Sequence, residues 1–163
     1  TGTYNRHYFA NELQRLQGSR EYPIAVIVID FNHLKLINDN LGHQAGDAAL
    51  VQCTQLIKET MRSADILARL GGDEFAIILP RTSYAEGEVI VERLYASIEA
   101  YNRAAPDLPV SVSLGLAVSE EERCSLEAAF NDADRIMYAE KQRNSEASKA
   151  MILAAIRNRG NNN

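Results

Sequence analysis

The sequence predicts an α+β fold, an antiparallel sheet flanked by helices, with a β-α-α-β-β-α-β core and extra helices at both ends. Three observations predict it. The run at 24–29 (IAVIVI) is apolar at every position, as a strand covered on both faces must be. Two short apolar runs, 66–70 and 75–79, flank Gly71-Gly72-Asp73-Glu74, and a paired glycine between such runs signals a hairpin. From Val110 to Val118, Val110, Val112, Leu114, Leu116 and Val118 alternate with Ser111, Ser113, Gly115 and Ala117, the period of a strand with one bulky and one small face.

The remaining elements follow in chain order. Phe9, Leu13 and Leu16 recur at helical spacing and Gly18 ends that first helix. Pro23 introduces the first strand. Leu50, Cys53, Ile57 and Met61 mark a long amphipathic helix behind Gly46, and Val91, Leu94, Ile98 and Tyr101 mark another, stopped before Pro106. After the alternating strand, Leu126, Phe130, Ala133 and Met137 give a further helix, and a more polar helical stretch continues from Ala147 to Ile156. This order is a ferredoxin-like core with an added helix in its first crossover. Residues 158–163 are Gly/Asn-rich and polar, and are expected to be a disordered tail beyond a single domain at 1–157.

Composition narrows the function. With 163 residues, 46% hydrophobic and 24% charged, the chain makes one domain with a sizeable core. No apolar run reaches the roughly 18 residues of a membrane span. A formal net charge of -5 argues against binding nucleic acid or an anionic membrane, so any nucleotide must be gripped locally. Cys53 and Cys124 stand alone, without a CxxC, which excludes a disulfide framework or zinc cluster and suits a reducing cytoplasm. The abrupt start at Thr1, with no targeting segment, reads as a piece of a longer protein. Neither GxxxxGK[ST] nor GxGxxG occurs, which disfavours P-loop and dinucleotide folds.

The topology also gathers carboxylates. A β-α-β crossover lays its strands parallel, so their C-terminal ends share one end of the sheet. Asp30 ends the first strand, and Asp73 and Glu74 lie in the hairpin after the second. Acids converging there need a cation between them, and hard oxygen ligands suit Mg²⁺ or Mn²⁺ carrying a phosphate substrate. Each acid taken alone reads better as solvating a strand end or hairpin tip.

These residues resemble the GGDEF family, the bacterial diguanylate cyclases. The signature is Gly71-Gly72-Asp73-Glu74-Phe75, and four further stretches match in order: 1–9 (TGTYNRHYF), 30–39 (DFNHLKLIND), 42–47 (GHQAGD), and Ser113-Leu114-Gly115 with 133–138 (ADRIMY). The resemblance implies a palm-type fold and the condensation of two GTP molecules into cyclic di-GMP with release of two pyrophosphates. Each domain of a homodimer would hold one GTP, under control of an upstream sensory domain. It further implies metal ligation by Asp30, the Phe31 carbonyl, Asp73 and Glu74, with Glu74 also placed to help deprotonate the 3′-hydroxyl. Lys35 would offset charge on the transferring phosphate, with backbone N–H groups at 31–34 cradling phosphate at a helix start. Asn38, His43 and Asp47 would hold the guanine base, whose paired N–H donors suit a carboxylate. Gly71 and Gly72 would let the hairpin adopt positive φ and approach the nucleotide. Lys141 would meet the terminal phosphates.

This chain departs from the family pattern at Thr3, Asn32, Leu34 and Ser145, where Leu, an acid, an aromatic and Arg are usual. Outside the catalytic stretch, Arg62-Ser63-Ala64-Asp65 stands at the family's RxxD position, with Arg93 as a second arm. Together these would bind cyclic di-GMP as a feedback inhibitor. Other readings remain: a catalytically weak member that binds GTP or cyclic di-GMP and regulates an attached domain, or a dimerisation module that binds no GTP. His7 and His33 have no partner evident from sequence and read as surface or packing residues.

Overall fold

The computed structural model describes residues 2–104 and 107–161. Thr1 of the opening motif, Pro106 and residues 162–163 of the expected tail lie outside the described residues. The elements run β1 (Tyr4–Asn5), α1 (Arg6–Gln17), β2 (Ile24–Phe31), α2 (Leu34–Leu41), α3 (His43–Glu59), β3 (Ile66–Arg69), β4 (Glu74–Leu79), α4 (Tyr84–Arg103), β5 (Val112–Ser119) and α5 (Leu126–Asn161). They form a five-stranded sheet in the order β1-β3-β4-β2-β5. The core topology is the one expected, with one addition. A two-residue β1 pairs parallel with β3, Tyr4 opposite Ala68, which a pair of polar-flanked residues could not announce.

All eight residues of β2 are buried, and they alternate between two layers. Ala25, Ile27, Ile29 and Phe31 face Ile37 of α2, Leu50, Cys53 and Ile57 of α3, and Leu94 and Ile98 of α4. Ile24 and Val26 face Phe9 and Leu16 of α1 and Leu126 of α5, and Val28 meets Ala133 and Met137. Local signals set the helix starts. The Asn5 side chain accepts from the Tyr8 N–H at the head of α1, and Ser83 and Glu86 form a reciprocal capping box at the head of α4.

The two helical stretches expected after β5 are one helix of 36 residues, about 54 Å long at 1.5 Å per residue. Residues 158–161, expected as part of a disordered tail, continue it. α5 begins in the layer of α1, yet Ile152 is fully buried in the opposite layer beside Ile37, Leu108 and Val110. The helix therefore passes the end of the sheet where β2 finishes. Its approach to β5 is close: a Cβ on Gly115 would overlap the Ala133 carbonyl oxygen and the Met137 N–H. The small face of β5 is thus a seat for helix backbone.

Glu140 closes the outer edge of β5. Its carboxylate accepts from the Leu114 N–H and from the Tyr95 hydroxyl of α4, both at 2.5 Å. Burial and this contact push the Tyr95 phenol well above its ordinary pKa. Both cysteines are free, and no helix among the described residues is long and apolar enough to cross a membrane.

Gly115→Ala is expected to cost about 3 kcal/mol of stability, the upper end for overpacking, because the obstacle is backbone that cannot rotate away. Urea denaturation measures this, and a loss under about 1 kcal/mol would show that α5 lifts off β5 freely.

Candidate active site

Three segments meet at the C-terminal end of β2. Asp30 lies directly opposite Glu74 across the antiparallel β2–β4 pair, so both side chains leave the same face of the sheet. The next residue, Phe31, donates its N–H to the Asp73 carbonyl at 2.8 Å. Asp30, Asp73 and Glu74 therefore come together as the parallel crossover rule requires. The turn is closed by the Leu70 N–H donating to the Glu74 carbonyl at 2.8 Å.

Asp30 is only 3% exposed. The Lys141 ammonium of α5 stands 2.8 Å from its Oδ1, and among the described residues no other group bonds to that buried oxygen. Burial pushes the Asp30 carboxyl above its ordinary pKa; Lys141 opposes the shift, and the charges of Asp73 and Glu74 add to it. Glu74 leans the other way, 3.7 Å from Arg6, whose Nε donates to the Leu70 carbonyl at 2.9 Å. Asp30 and Glu74 thus each have a cation of their own. Among the described residues no three His, Cys, Asp or Glu side chains converge in ligating geometry. The donor chemistry nevertheless fits a hard divalent cation: a buried carboxylate already drawing one positive charge, with two more carboxylates on the same edge.

The backbone behaves differently from expectation at two places. Gly71 and Gly72 do not adopt positive φ, which among the described glycines only Gly2 and Gly42 do. Their carbonyls instead accept from Arg69, at 3.1 Å and 2.6 Å, and a Cβ on Gly72 would meet nothing within 4 Å. Glycine here leaves bare, accessible backbone. Second, of the N–H groups at 31–34, Phe31 and Asn32 are spent on the Asp73 and Ser111 carbonyls. The free donors belong to the first turn of α2, from Leu34, where helix geometry leaves them unpaired. Lys35 is exposed in that turn.

Asn32 has a structural reason to be an amide. Its Nδ2 donates to Ser111 Oγ and its Oδ1 accepts from Ser113 Oγ, a pair of roles no carboxylate could fill. Asn38, on α2, sets its Oδ1 against Gly46 so closely that a Cβ there would overlap it, and the oxygen is buried without a donor. Asp47 follows Gly46 in the chain and is exposed, as is His43 at the first position of α3. Asn38 and the Gly46-Asp47 turn are therefore brought together. His33 does have a partner, Ser148 of α5, at 2.8 Å.

Arg62, Asp65 and Arg93 gather at the opposite end of β3. The Asp65 carboxylate accepts from the Arg62 N–H at 2.6 Å and so closes its own turn, while Arg93 donates to the Thr60 carbonyl. Burial raises the Asp65 pKa against the pull of both arginines. A cavity of about 500 Å³ lined by Arg62, Ser63 and Asp65 opens beside the turn. Sequence reasoning gave no role to Arg6, Glu140 or Ser148, although Arg6 lies in the matching stretch 1–9; each acts on a residue more than twenty-five positions away.

The sequence model of the family described as "Diguanylate cyclase, GGDEF domain" matches residues 1–147. The chain is 40% identical over 148 residues to diguanylate cyclase TpbB of Pseudomonas aeruginosa, covering 87% of this chain and 34% of that protein. It is 31% identical over 147 residues to the probable diguanylate cyclase DgcT of Escherichia coli, covering 87% and 32%. The chain thus spans about a third of the length of these curated relatives. Among solved structures it is similar to the GGDEF-only form of TpbB, with 36% identity and a TM-score of 0.74 over 88% of this chain and 87% of that one. The GGDEF domain of DgcB from Caulobacter crescentus, solved in complex with c-di-GMP, has 27% identity and a TM-score of 0.76 over 87% of each chain.

The raised pKa of Asp30 carries a prediction. Burial favours the neutral acid, so the folded state holds this proton more tightly than the unfolded chain does. Stability from the group is full at acid pH and lost as pH rises through the folded pKa. Asp30→Asn is therefore expected to melt at or above the wild-type temperature at about pH 8, with the gap narrowing toward about pH 4. Calorimetry over that range tests it, and a variant melting well below wild type at the higher pH would mean that Lys141 more than offsets the buried charge.

Proposed function

Because the chain belongs to the GGDEF family, we propose that it is a diguanylate cyclase domain, condensing two GTP into cyclic di-GMP and two pyrophosphates. The observation that carries this reading is the buried carboxylate of Asp30, met only by the Lys141 ammonium, beside Asp73 and Glu74 at one end of the sheet. Two copies facing each other would each hold one GTP, so that each 3′-hydroxyl attacks the other nucleotide's α-phosphate in line.

Asp30, the Phe31 carbonyl, Asp73 and Glu74 are the groups that would hold Mg²⁺ or Mn²⁺. Such ions, when bound, neutralise phosphate charge and lower the pKa of the attacking hydroxyl. Glu74 is placed to take the hydroxyl proton once Arg6 releases it. Lys35 and the first-turn N–H groups of α2 would receive the phosphates, with helix dipole and cation acting in the same direction. Lys141 would then exchange its contact with Asp30 for one with the terminal phosphate. Asp47 and the Asn38 amide would read the guanine edge, with His43 at the rim. Feedback would act at the other end of β3, where Arg62 can fork onto a phosphate of cyclic di-GMP and Arg93 and Asp65 are already gathered.

The direct test is incubation with GTP and Mg²⁺ followed by separation of nucleotides. Wild type is expected to yield cyclic di-GMP and Asp73→Ala none, with both remaining folded. A folded wild type that leaves GTP untouched would reject the enzymatic reading in favour of a regulatory nucleotide-binding domain. For feedback, wild-type progress curves are expected to flatten before GTP is exhausted, and Arg62→Ala to remove that plateau at an unchanged initial rate. An Arg62→Ala plateau at the wild-type product concentration would show that inhibition lies elsewhere.

A further inference from the structure

We infer that the contact between Ser148 and His33 positions the first turn of α2, so that a stretch of α5 outside the matched family region sets how tightly a nucleoside triphosphate is held. This rests on the reading above that the turn receives the phosphates of GTP. The family match ends at residue 147, whereas α5 continues to Asn161. The extra stretch is docked. Ser148 is 7% exposed and Ile152 fully buried, Met151 and Ile156 pack against the same cluster, and Arg159 lies 4.0 Å from Asp107.

It docks where backbone conformation is least secure. His33 is the residue before α2, its φ is +63°, and its side chain makes no cap to the helix. A non-glycine residue in the left-handed region persists only when its surroundings hold it there. Here Ser148 holds it, its Oγ 2.8 Å from His33 Nε2, with the Ser145 backbone as the imidazole's other partner on α5. The hydroxyl proton faces the Asn144 and Ser145 carbonyls at 2.9 Å and 3.1 Å. Its lone pair is left for the imidazole, so His33 Nε2–H donates and the tautomer follows from the hydroxyl's other bonds. The result is a chain of hydrogen bonds from the start of α2 to the backbone of α5.

Leu34, Lys35 and Leu36 follow His33 directly, and the direction of their N–H groups is inherited from its backbone. His33 and Ser148 are positioning residues: they act through that turn. Removing the acceptor lets His33 relax toward commoner conformations, and the bound-ready turn becomes one state among several, which weakens apparent binding by the fraction lost.

Steady-state kinetics with GTP and Mg²⁺, paired with calorimetric GTP binding, test the assignment. Ser148→Ala is expected to raise KM about fivefold, the worth of one hydrogen bond, with kcat within about twofold; Ser148→Thr, which keeps the acceptor, restores KM. Arg159→Ala, at the far end of the same stretch, leaves KM unchanged. A wild-type KM in Ser148→Ala overturns the inference, as does an equal rise in Arg159→Ala, which would mean general loosening of α5. Should Ser148→Ala fail to fold, His33→Ala replaces it, since Ala brings no imidazole to Ser148 and has no preference for left-handed backbone; the same KM rise is expected, and a wild-type value overturns. A wild type that binds no GTP overturns the functional reading as well, whereas one that binds GTP with Ser148→Ala unchanged overturns this inference alone.

Discussion

Asp30 lies near the end of a strand whose eight residues are all buried, and its carboxylate is 3% exposed. A charge so placed costs several kcal/mol unless a cation sits beside it. Lys141 supplies one at 2.8 Å. That reach is available only because α5 lies directly on β5, and α5 can do so only because Gly115 has no side chain to hold it off. Asp30, Lys141 and Gly115 are therefore one constraint distributed over three elements. The same arrangement gives the site its character: a buried carboxylate whose charge is met by a single cation.

The length of α5 ties the two layers of the domain together. A helix that starts against Phe9 and Leu16 and finishes with Ile152 beside Ile37 crosses the end of the sheet. Along the way it delivers Lys141 to Asp30, Glu140 to the edge of β5, and Ser148 to His33. Glu140 occupies an outer N–H of an edge strand, and at the opposite edge β1 is only two residues long. Short or capped edges limit unwanted strand pairing.

An acidic chain can receive an anion only where its cations are concentrated. With a net charge of -5, the long-range field repels nucleotides, so attraction has to come from groups held at short range. Arg6, Lys35 and Lys141 stand at one end of the sheet, and Arg62 and Arg93 at the other, separated by the length of β3.

The sequence by itself determined four of the five strands, the hairpin and the expectation that Asp30 meets Asp73 and Glu74. Apolar periodicity, paired glycines and the handedness of a parallel crossover are local or topological rules that need no side-chain detail. It did not determine which partner each charge takes. The pairing of Asp30 with Lys141 and of Glu74 with Arg6, the fastening of Arg93 to Thr60 and the seat of α5 on Gly115 depend on packing between segments far apart in the chain. The glycines of the hairpin show the same division: their presence marked a turn, but only the folded loop showed that they supply open backbone rather than positive φ. Ser148 gave no signal at all, because a serine on a helix becomes a positioning group only when tertiary packing sets it against a strained histidine.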